Sequence, residues 1–89
     1  MVRIFIRHTV ADYPAWRTVY DDFDSTRRSM GVTGAEVYQA LDDPNDATIW
    51  HDFGTRAEAE AFAGSHQLRE AMAKAGVQGQ PLVWFVARA

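Results

Sequence analysis

The sequence predicts an α+β protein of the ferredoxin-like class, in which a four-stranded antiparallel sheet carries both helices on one face. Four strand-like runs and two helical stretches follow one another in the order β-α-β-β-α-β, which is the split βαβ arrangement. The chain has 89 residues, with no internal repeat and no linker long enough to separate domains. Residues 1–89 are therefore expected to form a single domain.

The first strand is predicted over residues 2–8. Successive side chains of a strand point to opposite faces, and both faces here receive apolar residues. One face carries Val2, Ile4, Ile6 and His8, and the other carries Arg3, Phe5 and Arg7. His8 is expected at the end of the strand, within reach of solvent.

The first helix is predicted over residues 13–30. Asp12 is a plausible N-cap, Pro14 falls in the first turn, and Gly31 ends the helix. Residues spaced by three and four form one aromatic stripe toward the core: Trp16, Tyr20, Phe23, Arg27 and Met30. Arg27 is expected to lay its stem along apolar surface while its guanidinium reaches the edge of that surface or a carboxylate, in preference to binding an anion.

The next two runs, 33–41 and 47–53, flank the turn-forming segment "DDPND" and are predicted to form a hairpin. If Leu41 pairs with Ala47, Val37 lies opposite His51. Gln39 and His51 then share the helix-facing side, while Asp52 points to the other face. Because the neighbours His51 and Asp52 point apart, they cannot form a catalytic His–Asp relay. Asp52 is expected to pair with an arginine of the first strand.

The second helical stretch is predicted to be kinked. Thr55 with Glu58 fits a capping box, and Ser65 can start a second segment directly after Gly64. Gly76 is expected to end that segment in the left-handed conformation. The last strand, "LVWFVA" at residues 82–87, is apolar on both faces, as expected for a strand covered on both sides.

The face of the sheet that carries no helix is expected to bind a second copy of the chain. It would expose Phe5, Tyr38, Trp50 and half of the last strand, a large apolar patch for a monomer. A chain of this size buries only about 60–65% of its surface, and it has no cysteine for disulfides. A homodimer through the sheet face follows as the expected assembly.

Composition argues against several classes of partner. Nine basic residues stand against twelve acidic ones, for a net charge of −3, and the basic residues are scattered. This distribution is not that of a nucleic-acid-binding protein. The segment "MVRIFIRH" resembles neither a signal peptide nor a membrane span, so a cytoplasmic protein that does not associate with membranes is expected. The three histidines have no metal-ligand spacing, so no metal is expected.

The chain resembles small members of the dimeric α+β barrel superfamily, specifically the antibiotic-biosynthesis-monooxygenase-like group. The resemblance covers nearly the whole chain and rests on "RHTVADYPAWRTVYDDFD", on "DDPND" and on "FAGSHQLREAMAKAGVQGQP". It implies a homodimer with a ligand cavity in each subunit, between sheet and helices. Relatives of this kind include cofactor-free oxygenases acting on polycyclic aromatic polyketides, haem-degrading enzymes, polyketide cyclases and members without known activity.

Haem degradation is disfavoured by the residues at the matching positions. Where the resemblance implies the haem-ligating histidine of that subgroup, this chain carries Met72, and where it implies an indole, it carries Phe62. The asparagine of the first strand is also missing. His66 could supply an axial nitrogen only from a different place, and no cofactor is expected.

A cofactor-free oxygenase or cyclase needs an apolar pocket, a general base and donors for an anionic phenolate or enolate. His51 is the candidate base, with His8, Gln39 or a tyrosine as anion partner. Aromatic walls and a residue near the kink complete the candidate set of substrate-binding residues: Tyr13, Trp16, Tyr20, Phe62, His66 and Met72. Each of these residues also has a structural reading as core filling, helix cap or satisfied core histidine. A hydrophobic or aromatic small molecule is therefore the expected partner, either as a substrate or as the ligand of a non-catalytic dimer. The remaining alternative is a dimer that serves only as an accessory subunit.

Overall fold

The computed structural model describes all residues from 1 to 89 and has the predicted order of strands and helices. The strands are β1 (Val2–Val10), β2 (Val32–Ala40), β3 (Asp43–Phe53) and β4 (Val77–Ala87). The helices are α1 (Tyr13–Asp22), α2 (Asp24–Ser29), α3 (Arg56–Ala63) and α4 (His66–Lys74). All strand pairs are antiparallel, in the sheet order β2-β3-β1-β4. The predicted ferredoxin-like fold is confirmed.

The helix starts follow the capping signals of the sequence. Asp12, Thr55 and Ser65 accept hydrogen bonds from the backbone N–H groups of Ala15, Glu58 and Leu68, at 3.0, 3.2 and 3.1 Å. These bonds satisfy donors that have no partner within the helix. The predicted kink of the second helical stretch is confirmed at Gly64 and Ser65, and Gly76 ends α4 at a φ of 79°.

The first helix is interrupted at Phe23, which the sequence interpretation missed. Residues 13–30 form α1 and α2 rather than one helix. The carbonyl of Tyr20 accepts a hydrogen bond from Arg27 Nη1 at 2.7 Å. In a regular helix this carbonyl would accept from the N–H of Asp24. The side chain of Arg27 thus competes with the helical ladder where the helix is interrupted.

The predicted hairpin exists, but its turn and register differ from the prediction. The turn is at Leu41 and Asp42, and the segment from Asp43 belongs to β3. His51 pairs with Ala35, not with Val37, so the register is shifted by two residues. Residues 44–46 bulge out between two consecutive pairs of β2 and β3. A shift by two leaves every side chain on its predicted face, because side chains alternate with a period of two.

Strand β4 begins earlier than predicted and is exposed on both faces. It includes Pro81, which lies in a bulge where residues 79–81 stand opposite His8. Proline is tolerated here because β4 is an edge strand. Val83 and Phe85, on the side that faces the helices, are 39% and 44% exposed. The expected helical cover of this strand is therefore incomplete within one chain.

The core lies between the sheet and the helices, in two adjoining clusters. One cluster joins Ile4, Ile6 and Phe53 of the sheet to Ala59, Phe62 and Leu68 of the helices. The other surrounds Trp16, with Val10, Ala47, Ile49 and Ala75. None of the helices is both long and apolar enough to cross a membrane.

Candidate functional site

A small cavity lies where the two core clusters meet, between the sheet and helices α1, α2 and α4. Its volume is about 50 Å³. It is lined by thirteen residues, of which ten are hydrophobic: Ile6, His8, Trp16, Val19, Tyr20, Phe23, Arg27, Ile49, His51, Leu68, Ala71, Met72 and Ala75. The three residues of this wall that are not hydrophobic are His8, Arg27 and His51, and they set its chemistry.

His8 is buried in this wall, which corrects the expectation that solvent reaches it. The strand continues to Val10, and the ring of Trp16 covers His8 edge-on at 5.6 Å between ring centroids. Neither ring nitrogen has a hydrogen-bond partner. Burial lowers the pKa of His8 to about 4, because the charged imidazolium loses its hydration. His8 is therefore neutral at pH 7.

His51 lies on the same face of the sheet, two aromatic rings away. Its ring centroid is 5.1 Å from that of Phe62 and 6.4 Å from that of Tyr20. Nδ1 is buried and has no partner. Burial lowers the pKa of His51 to about 4, and the positive charge of Arg27 acts in the same direction. The imidazole is thus a neutral group in an apolar wall.

Asp52 points to the opposite face, as predicted. Its carboxylate accepts hydrogen bonds from Arg3 Nε and Nη2 at 2.7 and 2.9 Å, a bidentate pair. Arg7 pairs instead with Asp46, at 2.7 Å. His51 and Asp52 are separated by the sheet, so no catalytic relay joins them.

Arg27 is buried despite its charge and is only 5% exposed. Nη1 donates to the carbonyl of Tyr20 and Nη2 donates to Asp24 Oδ1 at 3.2 Å. The guanidinium carbon lies 3.8 Å from the centroid of the Tyr20 ring. Nε has no partner. The contact with a carboxylate was predicted, whereas the position of Arg27 in the cavity wall was not.

The unsatisfied nitrogens of the molecule are gathered at this one place. Four buried side-chain nitrogens lack a hydrogen-bond partner: both ring nitrogens of His8, Nδ1 of His51 and Nε of Arg27. All three residues line the same cavity. A buried polar group without a partner costs about 1–3 kcal/mol. All four of these nitrogens destabilise the same apolar wall, and this arrangement needs a physical explanation.

The cavity brings together five of the nine predicted site residues: His8, Trp16, Tyr20, His51 and Met72. Tyr20 occupies the centre of an aromatic array, with its ring centroid 5.0 Å from that of Trp16. Met72 is partly buried and unbranched, so it can adapt to a changed cavity shape.

The other four predicted site residues lie outside the cavity wall. Gln39 is exposed near the end of edge strand β2, where Nε2 donates to the carbonyl of Pro44 at 3.1 Å. His66 is exposed on the first turn of α4, with Nε2 2.7 Å from Glu70 Oε1. Phe62 is fully buried behind His51, in the neighbouring cluster. Tyr13 stacks on the outer side of Trp16 at 5.6 Å.

The wall residues that sequence reasoning left out are Arg27, Phe23 and the aliphatic residues. The signal for Arg27 was present, because it stands in the aromatic stripe of the first helical stretch. An arginine at a core-facing position is a buried charge, and buried charges mark partners or sites. The aliphatic residues give no such signal, since they are the same residues that fill any core.

No group of three or more His, Asp or Glu side chains comes together anywhere in the chain in a way that could hold a metal ion. The carboxylates of Asp24 and Asp52 are already paired with arginines. Asp24 accepts from Arg27 and from Arg28, and Asp52 is bound to Arg3 on the other face.

Comparison with known proteins defines the class of the fold. No family model matches the chain, and no curated protein matches its sequence. Solved structures do match over essentially the whole chain. One is an antibiotic biosynthesis monooxygenase, with 10% identity and a TM-score of 0.77, covering 100% of this chain and 99% of the other.

Two further structures agree with this result. A protein from Bordetella bronchiseptica, provisionally named an antibiotic biosynthesis monooxygenase, has 13% identity and a TM-score of 0.84, with coverage of 99% and 96%. SnoaB, a cofactor-independent oxygenase from Streptomyces nogalater, has 12% identity and a TM-score of 0.77, with coverage of 99% and 93%. The chain therefore has the fold of antibiotic-biosynthesis-monooxygenase-like proteins, and the resemblance inferred from the sequence is confirmed at the level of the fold.

Proposed function

We propose that this protein is a homodimer that binds an aromatic or enolisable small molecule in the cavity between sheet and helices, and oxidises or cyclises it without a cofactor. The observation that carries the proposal is the set of four partnerless nitrogens in an otherwise apolar wall. Apolar walls with a few convergent polar groups are typical of small-molecule sites. A ligand with oxygen atoms would supply the missing partners. The fold shared with a cofactor-independent oxygenase adds support.

In this proposal His51 removes a proton from the ligand. The resulting enolate or phenolate is the electron donor for O₂, so that a CH₂ group and O₂ give a carbonyl group and water. The protein holds the anion and excludes water, and His51 returns the proton to the departing oxygen atom as water forms. Orientation and exclusion of water are contributions that an apolar wall can make.

The low pKa of His51 limits this chemistry in a quantifiable way. A base with a pKa of about 4 has about 4 kcal/mol less driving force for accepting a proton than one with a pKa near 7. An anion formed beside the imidazole would offset part of this deficit, because a nearby negative charge raises the pKa of a histidine.

The same observation favours a second candidate function, a dimer that binds a hydrophobic metabolite without transforming it. Two neutral histidines donate and accept hydrogen bonds well, whatever their strength as bases. Binding alone needs no proton transfer, so the low pKa values are no obstacle to it.

The cavity is too small in its present shape for a ring system. Its volume of about 50 Å³ is enough for one or two water molecules at about 30 Å³ each, whereas ligand pockets usually measure about 300–1,000 Å³. A ligand must therefore displace wall side chains, and the half-buried wall residues Tyr20, Phe23 and Met72 are the large side chains best placed to move. Binding is expected to proceed by induced fit.

The dimer is proposed to form through the sheet face that carries no helix. Tyr38, Leu82, Trp84 and Val86 are 37–59% exposed there, and Trp84 stacks on Phe5 at 5.3 Å between ring centroids. A large exposed apolar patch is uncommon on a monomer, and here it adjoins the Arg3–Asp52 and Arg7–Asp46 ion pairs on the same face. A second sheet of the same shape would cover it.

The test compares His51→Ala with His66→Ala, a matched exposed histidine outside the cavity. O₂ consumption and product formation are measured with enolisable ketones of one to three rings. Loss of a general base lowers turnover by about 100-fold or more, so His51→Ala is expected to be inactive and His66→Ala to equal the wild type. Circular dichroism and sedimentation are then measured to check that both variants retain the fold and the assembly of the wild type.

Three other results would change the assignment. If His51→Ala does not fold, the residue belongs to the core. If native mass spectrometry of the wild type finds a co-purified apolar ligand but air yields no product, the binding function replaces the enzymatic one. If no ketone is bound or converted, the proposal of a small-molecule site fails.

A further inference from the structure

Arg27 is the one formally charged side chain in the cavity wall, because both histidines are neutral at pH 7. It is held rigidly in place. Two of its nitrogens are used by the carbonyl of Tyr20 and by Asp24, and its plane lies against the Tyr20 ring. The third nitrogen, Nε, is the part of the guanidinium that remains without a partner.

The charge of Arg27 is incompletely balanced. Asp24 accepts from Arg27 at 3.2 Å and from Arg28 at 2.9 Å, so one carboxylate serves two cations. The Asp24 side chain is 51% exposed, whereas that of Arg27 is 6% exposed. A partly solvated carboxylate compensates a buried cation poorly. The cavity end of α2 therefore keeps a net positive charge.

A structural role alone does not account for this burial. The neighbouring Arg28 makes the shorter contact with Asp24 while its own side chain is 72% exposed. A cation that only stabilises α2 can thus remain in water. Burying a second one beside an apolar cavity is unfavourable unless a further partner is supplied.

We propose that Arg27 recognises an ionised oxygen of the ligand, an enolate, phenolate or carboxylate, through Nε. This inference rests on the proposed small-molecule site and names the chemical class of its ligand. Guanidinium N–H groups form charge-assisted hydrogen bonds with such oxygens, about twice as strong as those between neutral groups. Neutral His8 and His51 donate or accept further bonds but contribute no charge.

The position of Arg27 also orients the ligand. Arg27 and Tyr20 line both the inner cavity and a polar outer cleft of about 360 Å³ beside β2. The ionised oxygen would lie at this boundary and the carbon skeleton would extend inward, toward Ile6 and Leu68. Nε is shielded from solvent, so the ligand reaches it only when neighbouring side chains move aside.

The experiment measures binding of para-nitrophenolate, at a pH above the pKa of the phenol, and of the neutral para-nitroanisole. The variants are Arg27→Met, Arg27→Lys and the matched control Arg28→Met, which removes the other cation bound to Asp24. Loss of a charge-assisted hydrogen bond weakens binding by about 10- to 100-fold. Arg27→Met is expected to raise the Kd for the phenolate by this factor. Its Kd for the anisole should change by less than about threefold.

Arg27→Lys keeps the charge but has no Nε–H group in the guanidinium geometry, so an intermediate loss for the phenolate is expected. Arg28→Met leaves Nε of Arg27 in place, so it should bind the anisole like the wild type and lose far less affinity for the phenolate than Arg27→Met does. If Arg27→Met does not fold, the wild-type protein still tests the role of Arg27 by NMR. The Nε–H resonance of Arg27 should shift when the phenolate is added and should not shift when the anisole is added.

Other outcomes separate the two proposals. If both probes bind the wild type equally and Arg27→Met weakens neither, or if the Nε–H resonance is unmoved by bound phenolate, the role of Arg27 is wrong while the cavity stands. If neither probe binds the wild type, the small-molecule site itself is overturned, and the role of Arg27 falls with it.

Discussion

His8 and His51 share one feature that determines their charge state: both are buried and have ring nitrogens without a hydrogen-bond partner. Both are less than 7% exposed, and both have a pKa lowered from 6.5 to about 4. The period of two in β1 and β3 was enough to predict that both point toward the helices. That their nitrogens would lack partners was not predictable, because it depends on which side chains of distant elements surround them.

These two histidines are expected to make the protein acid-sensitive. In the unfolded chain they bind protons near pH 6.5, whereas in the folded protein they do so only near pH 4. The unfolded state therefore binds more protons between these values, and the free energy of unfolding falls as the pH drops from 6.5 to 4. Each histidine contributes at most about 3 kcal/mol to this loss.

Urea unfolding at a series of pH values checks this expectation. The variant His8→Leu should show a smaller loss of stability across this window, and His66→Leu should behave like the wild type. Asp24 and Asp46 have pKa values lowered below 3.8 by their arginine partners, so their contribution is lost mainly below the window. Equal pH profiles for His8→Leu and the wild type would contradict the assignment of the effect to His8.

At the scale of elements, local chemistry determined where helices begin and long-range contacts determined where they are interrupted. The three N-caps and Gly76 follow directly from short motifs, since each involves residues three or four positions apart. The break at Phe23 has no such motif. It accompanies the bond between Arg27 and the Tyr20 carbonyl, in an arginine whose buried position depends on the sheet below.

The kink between α3 and α4 is expected to depend on Ser65. Its hydroxyl oxygen accepts from the N–H of Leu68 at 3.1 Å, and the hydroxyl donates to the carbonyl of Phe62 at 2.8 Å. Loss of an N-cap costs about 1 kcal/mol, with a range of about 0.5–2. Ser65→Ala should therefore lower the free energy of unfolding by about this amount.

The matched control is Ser25→Ala, an exposed serine within α2. There the change should be near zero or slightly stabilising, since alanine has the higher helix propensity. Both values follow from urea denaturation at neutral pH. A Ser65→Ala variant as stable as the Ser25→Ala variant would show that the cap contributes nothing to stability.

At the scale of the whole molecule, the notable feature is how much apolar surface one chain leaves uncovered. Five consecutive residues of β4, from Leu82 to Val86, are each 37–59% exposed. Because they alternate between faces, the strand is uncovered on both sides. The sequence showed that this strand is apolar on both faces, but the helices of one chain leave its central residues uncovered, since α3 packs over β1 and β3.

The proposed dimer is expected to depend on the outer face of the sheet. Trp84→Asp places a charge in the patch beside Phe5, and removal of a central aromatic residue typically weakens an interface by about 2 kcal/mol or more, or about 30-fold. Sedimentation equilibrium should show this shift toward the monomer. Leu41→Asp is the control, because Leu41 is fully exposed at the hairpin turn. Equal association of both variants and the wild type would rule out this face as the interface.

The sequence by itself determined the fold class, the face of each strand residue and the helix caps. These features depend on hydrophobic periodicity and on contacts between near neighbours, so they survive even a register error of two residues. Only the tertiary structure decided the shape of the site. It placed Gln39 and His66 outside the cavity wall, and it placed Arg27 in that wall together with the two histidines. The reason is that a cavity is formed by side chains from five elements distant in the chain, and whether a buried nitrogen finds a partner is decided by all of them together.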